Sequence, residues 1–283
     1  MKNILVPTDF SDCAGYALEF AYAIADIYDS NIIVFNNIQS DTFWPTFGSD
    51  NQDFKAKQLQ KKSIEDSLHN LISKAPIDEN RIKSLHMEGD FIQNINNIVE
   101  KNKIDFIVMG SHGASGKKEI FLGSNTQKVV RSVDCSIFVV KNSVANYKID
   151  KVVFASNFHL TDIEPLEYML DFIRPYLPEI HLVEINTPSI FNVPNYIEKQ
   201  VMNDFKKLCE GFVCHTHLVK DISVDSGVRR ITKEIGADLI VVSNNQNKPI
   251  KHFLRGSNVE FLVNHSEVPV LSINTRTVSK NNN

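Results

Sequence analysis

The chain is short of several features that would narrow its chemistry at once. Its four cysteines, Cys13, Cys135, Cys209 and Cys214, lie scattered with no C-x-x-C spacing, which argues against a zinc ribbon and a disulfide framework and makes buried, reduced thiols the expectation. No apolar run approaches a bilayer span. Ile32 to Phe35 and Leu239 to Val242 are strand-sized, and the N-terminus enters such a run without a basic, apolar leader, so a cytoplasmic protein is expected. Basic charge is not in excess either: a formal net charge of -4 over 283 residues offers no broad attraction for nucleic acid or an anionic membrane. The Walker pattern G-x4-G-K-[ST] is missing as well, because five places before Gly116 stands Ser111 rather than glycine.

What is present is a soluble balance, 42% hydrophobic and 23% charged, and an alternation of apolar runs with helix-like segments that passes through the chain twice. In the first half Ile4-Leu5-Val6, Ile32 to Phe35, Ser84-Leu85-His86, Phe106 to Met109 and Ile137 to Val140 read as strands, most of them suited to burial on both faces. Between them, Ala14 to Ile27, Phe54 to Ile72 and a segment marked by Ile92, Ile95 and Val99 read as helices, the last capped by Asp90. Lys151 to Phe158 repeats the character of the N-terminus after a polar connector. Ile163, Leu166, Leu170, Ile173 and Leu177 then fit a helix face, Ile180 to Ile185 a strand, and Val228, Ile231 and Ile235 a helix that Asp225 could cap. Leu239 to Val242 and Val268 to Ile273 complete the second set. Alternating strands and helices predict an α/β fold of parallel pairing and right-handed crossovers, two doubly wound sheets in tandem. The expected units are residues 1–144 and 149–276, followed by a polar tail at 277–283.

The most informative stretch runs from Asp105 to Ser124. An apolar run ends at Gly110, a turn carries Gly113 and Gly116, and Gly123-Ser124 opens another helix. Small residues let backbone N–H groups approach an anion, and the unpaired N–H groups of a helix start favour negative charge. The spacing Gly110-x2-Gly113-x9-Gly123-Ser124, together with Asn3-Ile4-Leu5-Val6-Pro7-Thr8-Asp9-Phe10-Ser11, resembles the universal stress protein family. Its ATP-binding members carry G-x2-G-x9-G-[ST] after the fourth strand of a five-stranded, Rossmann-like domain of the adenine nucleotide alpha hydrolase type.

The resemblance implies strand order 3-2-1-4-5, which sets strands one and four side by side at the switch point where such sheets bind ligands. It assigns Asp9 to a ribose hydroxyl or adenine amino group, with Pro7 and Thr8 shaping the base pocket. Met109, Gly110, Ser111, His112 and Gly113 run from the base edge to the phosphates, and Gly123, Ser124 and Asn125 form a second phosphate contact. Asn37 matches a position whose backbone contacts adenine, although the family usually has an apolar residue there. The residues alone leave an alternative open: Asp9 or Ser11 could simply cap the helix starting near Asp12. His112 suits contact through backbone or ring better than proton transfer, and Lys117 and Lys118 either neutralise phosphate or face solvent.

In the second half, Asn157 stands where Asp9 stands, and the loop aligned on Gly256-Ser257 starts Ser243-Asn-Asn-Gln246, so both leading glycines are replaced. Poor ATP binding or none is expected there. Cys214-His215-Thr216-His217 crowds three potential metal ligands into four positions, but strand alternation would put Cys214 opposite the two histidines and no acidic residue accompanies them in sequence. Phe43, Trp44 and Phe47 suggest a lid, a partner surface or packing onto the second domain.

The preferred function is an ATP or ADP/AMP-binding stress-response or signalling module. No Walker lysine, water-orienting base or carboxylate cluster for a dedicated magnesium site can be assembled, so binding without fast turnover is expected, any Mg accompanying the nucleotide and meeting at most Ser124. The alternatives are a slow ATPase or adenylyl-transferring enzyme, and a protein scaffold with a vestigial nucleotide site. The two repeats are expected to pair Ile137 to Val140 against Val268 to Ile273 as a pseudo-dimer within one chain, a homodimer of such chains remaining open.

Overall fold

The computed structural model describes residues 2–38, 50–112, 123–143, 147–188, 194–244 and 256–274. The first half consists of β1 (Asn3–Pro7), α1 (Asp12–Tyr28), β2 (Asn31–Ile38), α2 (Asp50–Ile72), β3 (Ile82–Glu88), α3 (Phe91–Lys101), β4 (Phe106–Gly110), α4 (Ser124–Ser132) and β5 (Ser136–Val140). The second half repeats it with β6 (Lys151–Ala155), α5 (Ile163–Ile173), β7 (Glu179–Asn186), α6 (Asn195–Leu208), β8 (Cys214–Lys220), α7 (Val224–Ile235), β9 (Leu239–Asn244), α8 (Gly256–His265) and β10 (Val270–Asn274).

Among the described residues ten strands join one sheet in the order β3-β2-β1-β4-β5-β10-β9-β6-β7-β8. Pairing is parallel within each half, and the halves meet where β5 and β10 run antiparallel with Phe138 opposite Leu271. The central strands are apolar on both sides because both faces are covered. Ile4 and Val6 of β1 pack with α1, while Leu5, pointing the other way, packs with α3 and α4 residues such as Ile95 and Val129. Next to the β5–β10 seam, Phe172 of α5 lies 5.3 Å from Phe106 and 5.2 Å from Phe138, so one aromatic cluster spans both halves.

Local capping fixes where helices start. Ser11 caps α1 by accepting from the Ala14 amide, and Asp90 caps α3 as its position suggests, accepting from Gln93. Helix α7 corrects the sequence reading: Ser223, not Asp225, is the cap, and Asp225 sits in the first turn where it pairs with Arg229 at 3.2 Å. Helix α5 stops at Ile173, so Leu177 is not on its buried face; it lies beyond the helix end, exposed, with φ 48°.

Candidate functional site

At the carboxyl ends of β1 and β4 the chain leaves in opposite directions, and a cavity of about 470 Å³ opens between the two exits. It is lined by Pro7, Thr8, Asp9, Asn37, Met109, Gly110, His112, Gly123, Ser124 and Asn125, and also by Ala14, Asn36, Phe91 and Thr126. Ten of the positions singled out in the sequence therefore converge. The last four did not stand out there because a lone alanine, asparagine, phenylalanine or threonine carries no local signal of a ligand.

The floor is held by polar contacts that fix its backbone. The Thr8 amide donates to the Phe35 carbonyl at 2.8 Å, Asn36 Nδ2 donates to the Thr8 carbonyl at 2.8 Å, and Thr8 Oγ1 accepts from the Phe10 amide at 3.1 Å. Phe10 takes φ 62°, a strained value for a bulky residue, and that bend presents Asp9 at the mouth. Asp9 Oδ1 accepts from the Ser11 amide at 3.1 Å and the Ser11 hydroxyl at 2.6 Å, so Asp9 aims the residue that caps α1 while itself remaining exposed. Asn37 is anchored through its side chain, giving a hydrogen bond to the Gly89 carbonyl at 3.1 Å and taking one from Asn94 at 2.8 Å. Phe91 stacks on Phe35 with an interplanar angle of 11°.

In the opposite wall two glycines that line the cavity also serve packing and loop closure. A Cβ on Gly110 would lie 2.7 Å from the Cys13 backbone, so this glycine serves the close packing of α1 on β4. Ser111 does not line the cavity; it is fully buried, with its amide on the Val140 carbonyl and its carbonyl accepting from the Gly123 amide at 2.8 Å. That bond pins the two ends of the loop together and spends the Gly123 N–H. Helix α4, by contrast, has no side-chain cap from its N-cap residue Gly123, and its first residues, Ser124 and Asn125, line the cavity. Thr126 Oγ1 ties the start of α4 to β4 through the Gly110 carbonyl at 2.8 Å. Gly113, Lys117, Lys118 and the aromatic residues Phe43, Trp44 and Phe47 lie outside the described residues.

His112 holds Ser111 Oγ at 2.8 Å from its Nδ1. Burial and then the nearby Lys141 push its pKa below the usual histidine value, so at neutral pH it offers a hydrogen bond and no charge. Lys141, just beyond β5, thus brings positive charge close to this wall, and nothing in the local sequence marks it.

The second half copies the frame and sets other side chains in it. The Ser156 amide donates to Val183, Ser156 Oγ accepts from the Phe158 amide at 2.8 Å, and Phe158 takes φ 55°, as at Thr8 and Phe10. In that register Asp162 replaces Ala14 and Ser243 replaces Gly110. The Asp162 carboxyl group, 7% exposed, accepts from Ser156 Oγ at 2.9 Å, from the His159 amide at 3.1 Å and from Ser243 Oγ at 2.7 Å. Ile185 and Gly227 stand where Asn37 and Asn94 stand, and a Cβ on Gly227 would meet the Ile185 side chain at 2.8 Å. Gln246 lies outside the described residues.

His215 and His217 share a face, as alternation requires. Folding adds neighbours absent from their own strand: His181 Nδ1 lies 3.0 Å from His217 Nε2, and Glu179 lies 4.0 Å from His215. No group of three or more histidine, cysteine or acidic side chains among the described residues is drawn in to hold a metal. No helix among them is long and apolar enough to cross a membrane.

Comparison with known proteins agrees with this architecture. The sequence model of the universal stress protein family matches residues 1–141 and 194–274. Universal stress protein MJ0577 of Methanocaldococcus jannaschii is 30% identical over 154 residues, covering 50% of this chain and 94% of that protein. Universal stress protein Slr1230 of Synechocystis is 22% identical over 300 residues, covering 96% of this chain and 99% of that one. The crystal structure of a universal stress protein from Archaeoglobus fulgidus superposes with a TM-score of 0.74 at 23% identity, over 96% of this chain and 98% of that chain, a likeness of fold across both halves.

Proposed function

Because the chain belongs to the universal stress protein family, we propose that its N-terminal crevice binds an adenine nucleotide, ATP or its ADP and AMP relatives, and that occupancy rather than turnover is the output in a stress-response or signalling role. One observation carries the reading: where Ala14 and Gly110 border a cavity of about 470 Å³ at the switch point of the first half, the equivalent places of the second half hold a buried Asp162 bonded to Ser243. Pro7, Thr8 and the backbone at Asn37 would border the base, and Asp9 the ribose. The phosphates would meet the amides at the start of α4, at Ser124 and Asn125, where a helix start contributes up to about 2 kcal/mol in a partly buried setting. A neutral His112 adds a hydrogen bond without charge, so Lys141 and a nucleotide-borne Mg would carry the neutralisation, with the Ser124 hydroxyl as candidate ligand.

We place the functional units at residues 1–144 and 149–276 and the protein in the cytoplasm, where its thiols stay reduced. The antiparallel meeting of β5 and β10 supports reading the halves as a pseudo-dimer whose edge strands protect each other.

Calorimetric titration with ATP, with and without Mg, should give one binding event per chain in the wild type and none in Asp9→Asn combined with Ala14→Asp. Equal binding by both proteins would overturn the assignment, and release of ADP at a rate matching binding would replace a binding module with an enzyme.

A further inference from the structure

Helix α4 belongs to the first half, yet much of what holds it comes from the second. Its start lines the N-terminal crevice at Ser124, Asn125 and Thr126, and the Thr126 hydroxyl ties it to its own sheet through the Gly110 carbonyl. From the other half, Glu260 of α8 accepts three hydrogen bonds: Gln127 Nε2 donates to Oε2 at 2.7 Å, Arg131 Nη2 to the same oxygen at 2.7 Å, and Arg131 Nε to Oε1. Gln127 and Arg131 are four residues apart and so share one face of the helix, and a single carboxylate grips both. At the far end of α4, where a helix runs out of amides for its carbonyls, the Val130 carbonyl accepts from Asn244 Nδ2 at 3.0 Å and that of Val133 from Asn274 Nδ2 at 3.1 Å.

Gln127 stands four places after Gly123, and Glu260 four places after Gly256, so the two are equivalent in their repeats and meet across the seam. Were the halves alike, glutamine would face glutamine and Arg131 would find no acid there. A carboxylate at one of the two equivalent positions gives the seam its charge-assisted bonds. Glu260 is 7% exposed, and a carboxylate so buried is held firmly, since losing its donors would leave an uncompensated charge. Val129, Val130 and Val133 lie in one apolar cluster with Val259, Leu262 and Val263 of α8, so the polar clamp sits on a packed contact.

We propose, on the strength of the nucleotide reading of that crevice, that Glu260 is a positioning residue for phosphate binding: through Gln127 and Arg131 the second half fixes where the start of α4 stands. The chain of contacts is short. The Gln127 amide donates to the Gly123 carbonyl at 2.9 Å, and the Gly123 amide to the Ser111 carbonyl at 2.8 Å, so the side chain that Glu260 grips belongs to the turn carrying Ser124 and Asn125. Glu260 does not itself line the crevice. Its influence falls on the phosphates, which meet α4, and spares the base and ribose, which the β1 side borders. The second half thereby acts as a regulatory half, because whatever shifts α8 shifts the phosphate affinity of the first.

The test is calorimetric titration of the full chain with ATP and with adenosine, circular dichroism confirming the fold of each variant. Glu260→Leu, which removes all three hydrogen bonds, should weaken ATP binding about tenfold, within the usual range of coupling between sites. Glu260→Gln, which keeps an acceptor for Gln127, should recover part of that loss. Adenosine, having no phosphate to meet α4, should bind wild type and variants alike. Because coupling is reciprocal, hydrogen exchange of α8, residues 256–265, should slow in the unaltered chain when ATP is added and stay the same with adenosine. No binding of ATP by the wild type would overturn this inference together with the nucleotide reading. ATP binding by the wild type that Glu260→Leu leaves unchanged, equal losses for ATP and adenosine, or exchange in α8 indifferent to ATP would overturn this inference alone, the last of these even if the variants fail to fold.

Discussion

The two halves share a backbone and differ in what occupies one place in it. Thr8 and Ser156 make the same two hydrogen bonds, and Phe10 and Phe158 bend with the same positive φ. At the switch point, however, Ala14 and Gly110 border a cavity in one half, and Asp162 and Ser243, bonded to each other, stand in those places in the other. The strand-end turn is thus a property of the fold, kept whether or not a ligand is held. The void is a separate property that a few side chains confer or remove. A buried carboxyl group with three donors meets the hydrogen-bonding needs of the filled half from within.

The strongest challenge to treating the halves separately is their shared aromatic cluster. Phe172→Ala, made in the second half, should cost about 3–5 kcal/mol, because it empties a fully buried position touching Phe106 and Phe138 of the first. Urea unfolding should show the loss in a single transition followed by probes in both halves; two separated transitions would mean that the seam couples them weakly.

Next in size is the transplant of the filling residue. Ala14→Asp should weaken ATP binding by about 100-fold or more, near 3 kcal/mol, because it sets a carboxyl group against the place assigned to the nucleotide. Calorimetry measures it, with circular dichroism confirming the fold. The reciprocal pair Asp162→Ala and Ser243→Gly should open the second crevice yet gain little affinity, since Asn157 and Ile185 remain; ATP binding as tight as in the first half would break the comparison.

A smaller effect concerns the cap. Ser11→Ala should destabilise by about 1 kcal/mol and also remove the hydroxyl bond to Asp9 Oδ1, keeping the one from the backbone amide. Binding should weaken more than the stability loss explains if Asp9 must be aimed, and denaturation beside titration separates the two.

The last prediction is a difference in acid sensitivity. His181 stands where the first half has Ile33, and its pKa is lowered from 6.5 to about 4, first by burial, then by His217 and His215, with Glu179 opposing and Lys151 adding to the shift. Between these values the unfolded chain takes up a proton that the folded one refuses, so stability present above pH 6.5 falls as the pH drops towards 4. His181→Ile should flatten that part of the melting-temperature profile. An unchanged slope would assign acid sensitivity elsewhere.

Much of this was legible from residue order. Strands such as Phe106 to Met109 are apolar on both faces because both faces are covered, and that shows in composition alone. Asp90 marks its helix because capping is a local contact. The choice between Ser223 and Asp225 as the cap of α7 was not legible, since both can cap and only the backbone angle at Ser223 decides. The convergence of Asp9, Gly110, His112 and Ser124 was legible as spacing, but a further reason for Gly110 was not: a side chain there would meet Cys13, almost a hundred residues earlier. Asp162 reads as an ordinary helix-start acid until Ser243 is folded onto it.

The order of residues by itself determined the tandem α/β repeat, the edges of most strands and helices, and the loops that reach the switch point, because periodicity, capping and turn chemistry act over a few neighbours. Only the tertiary structure decided which side chains meet at each crevice and which glycine serves packing. Those outcomes depend on a few ångströms of space between segments distant in the chain, where a single side chain either leaves room or takes it.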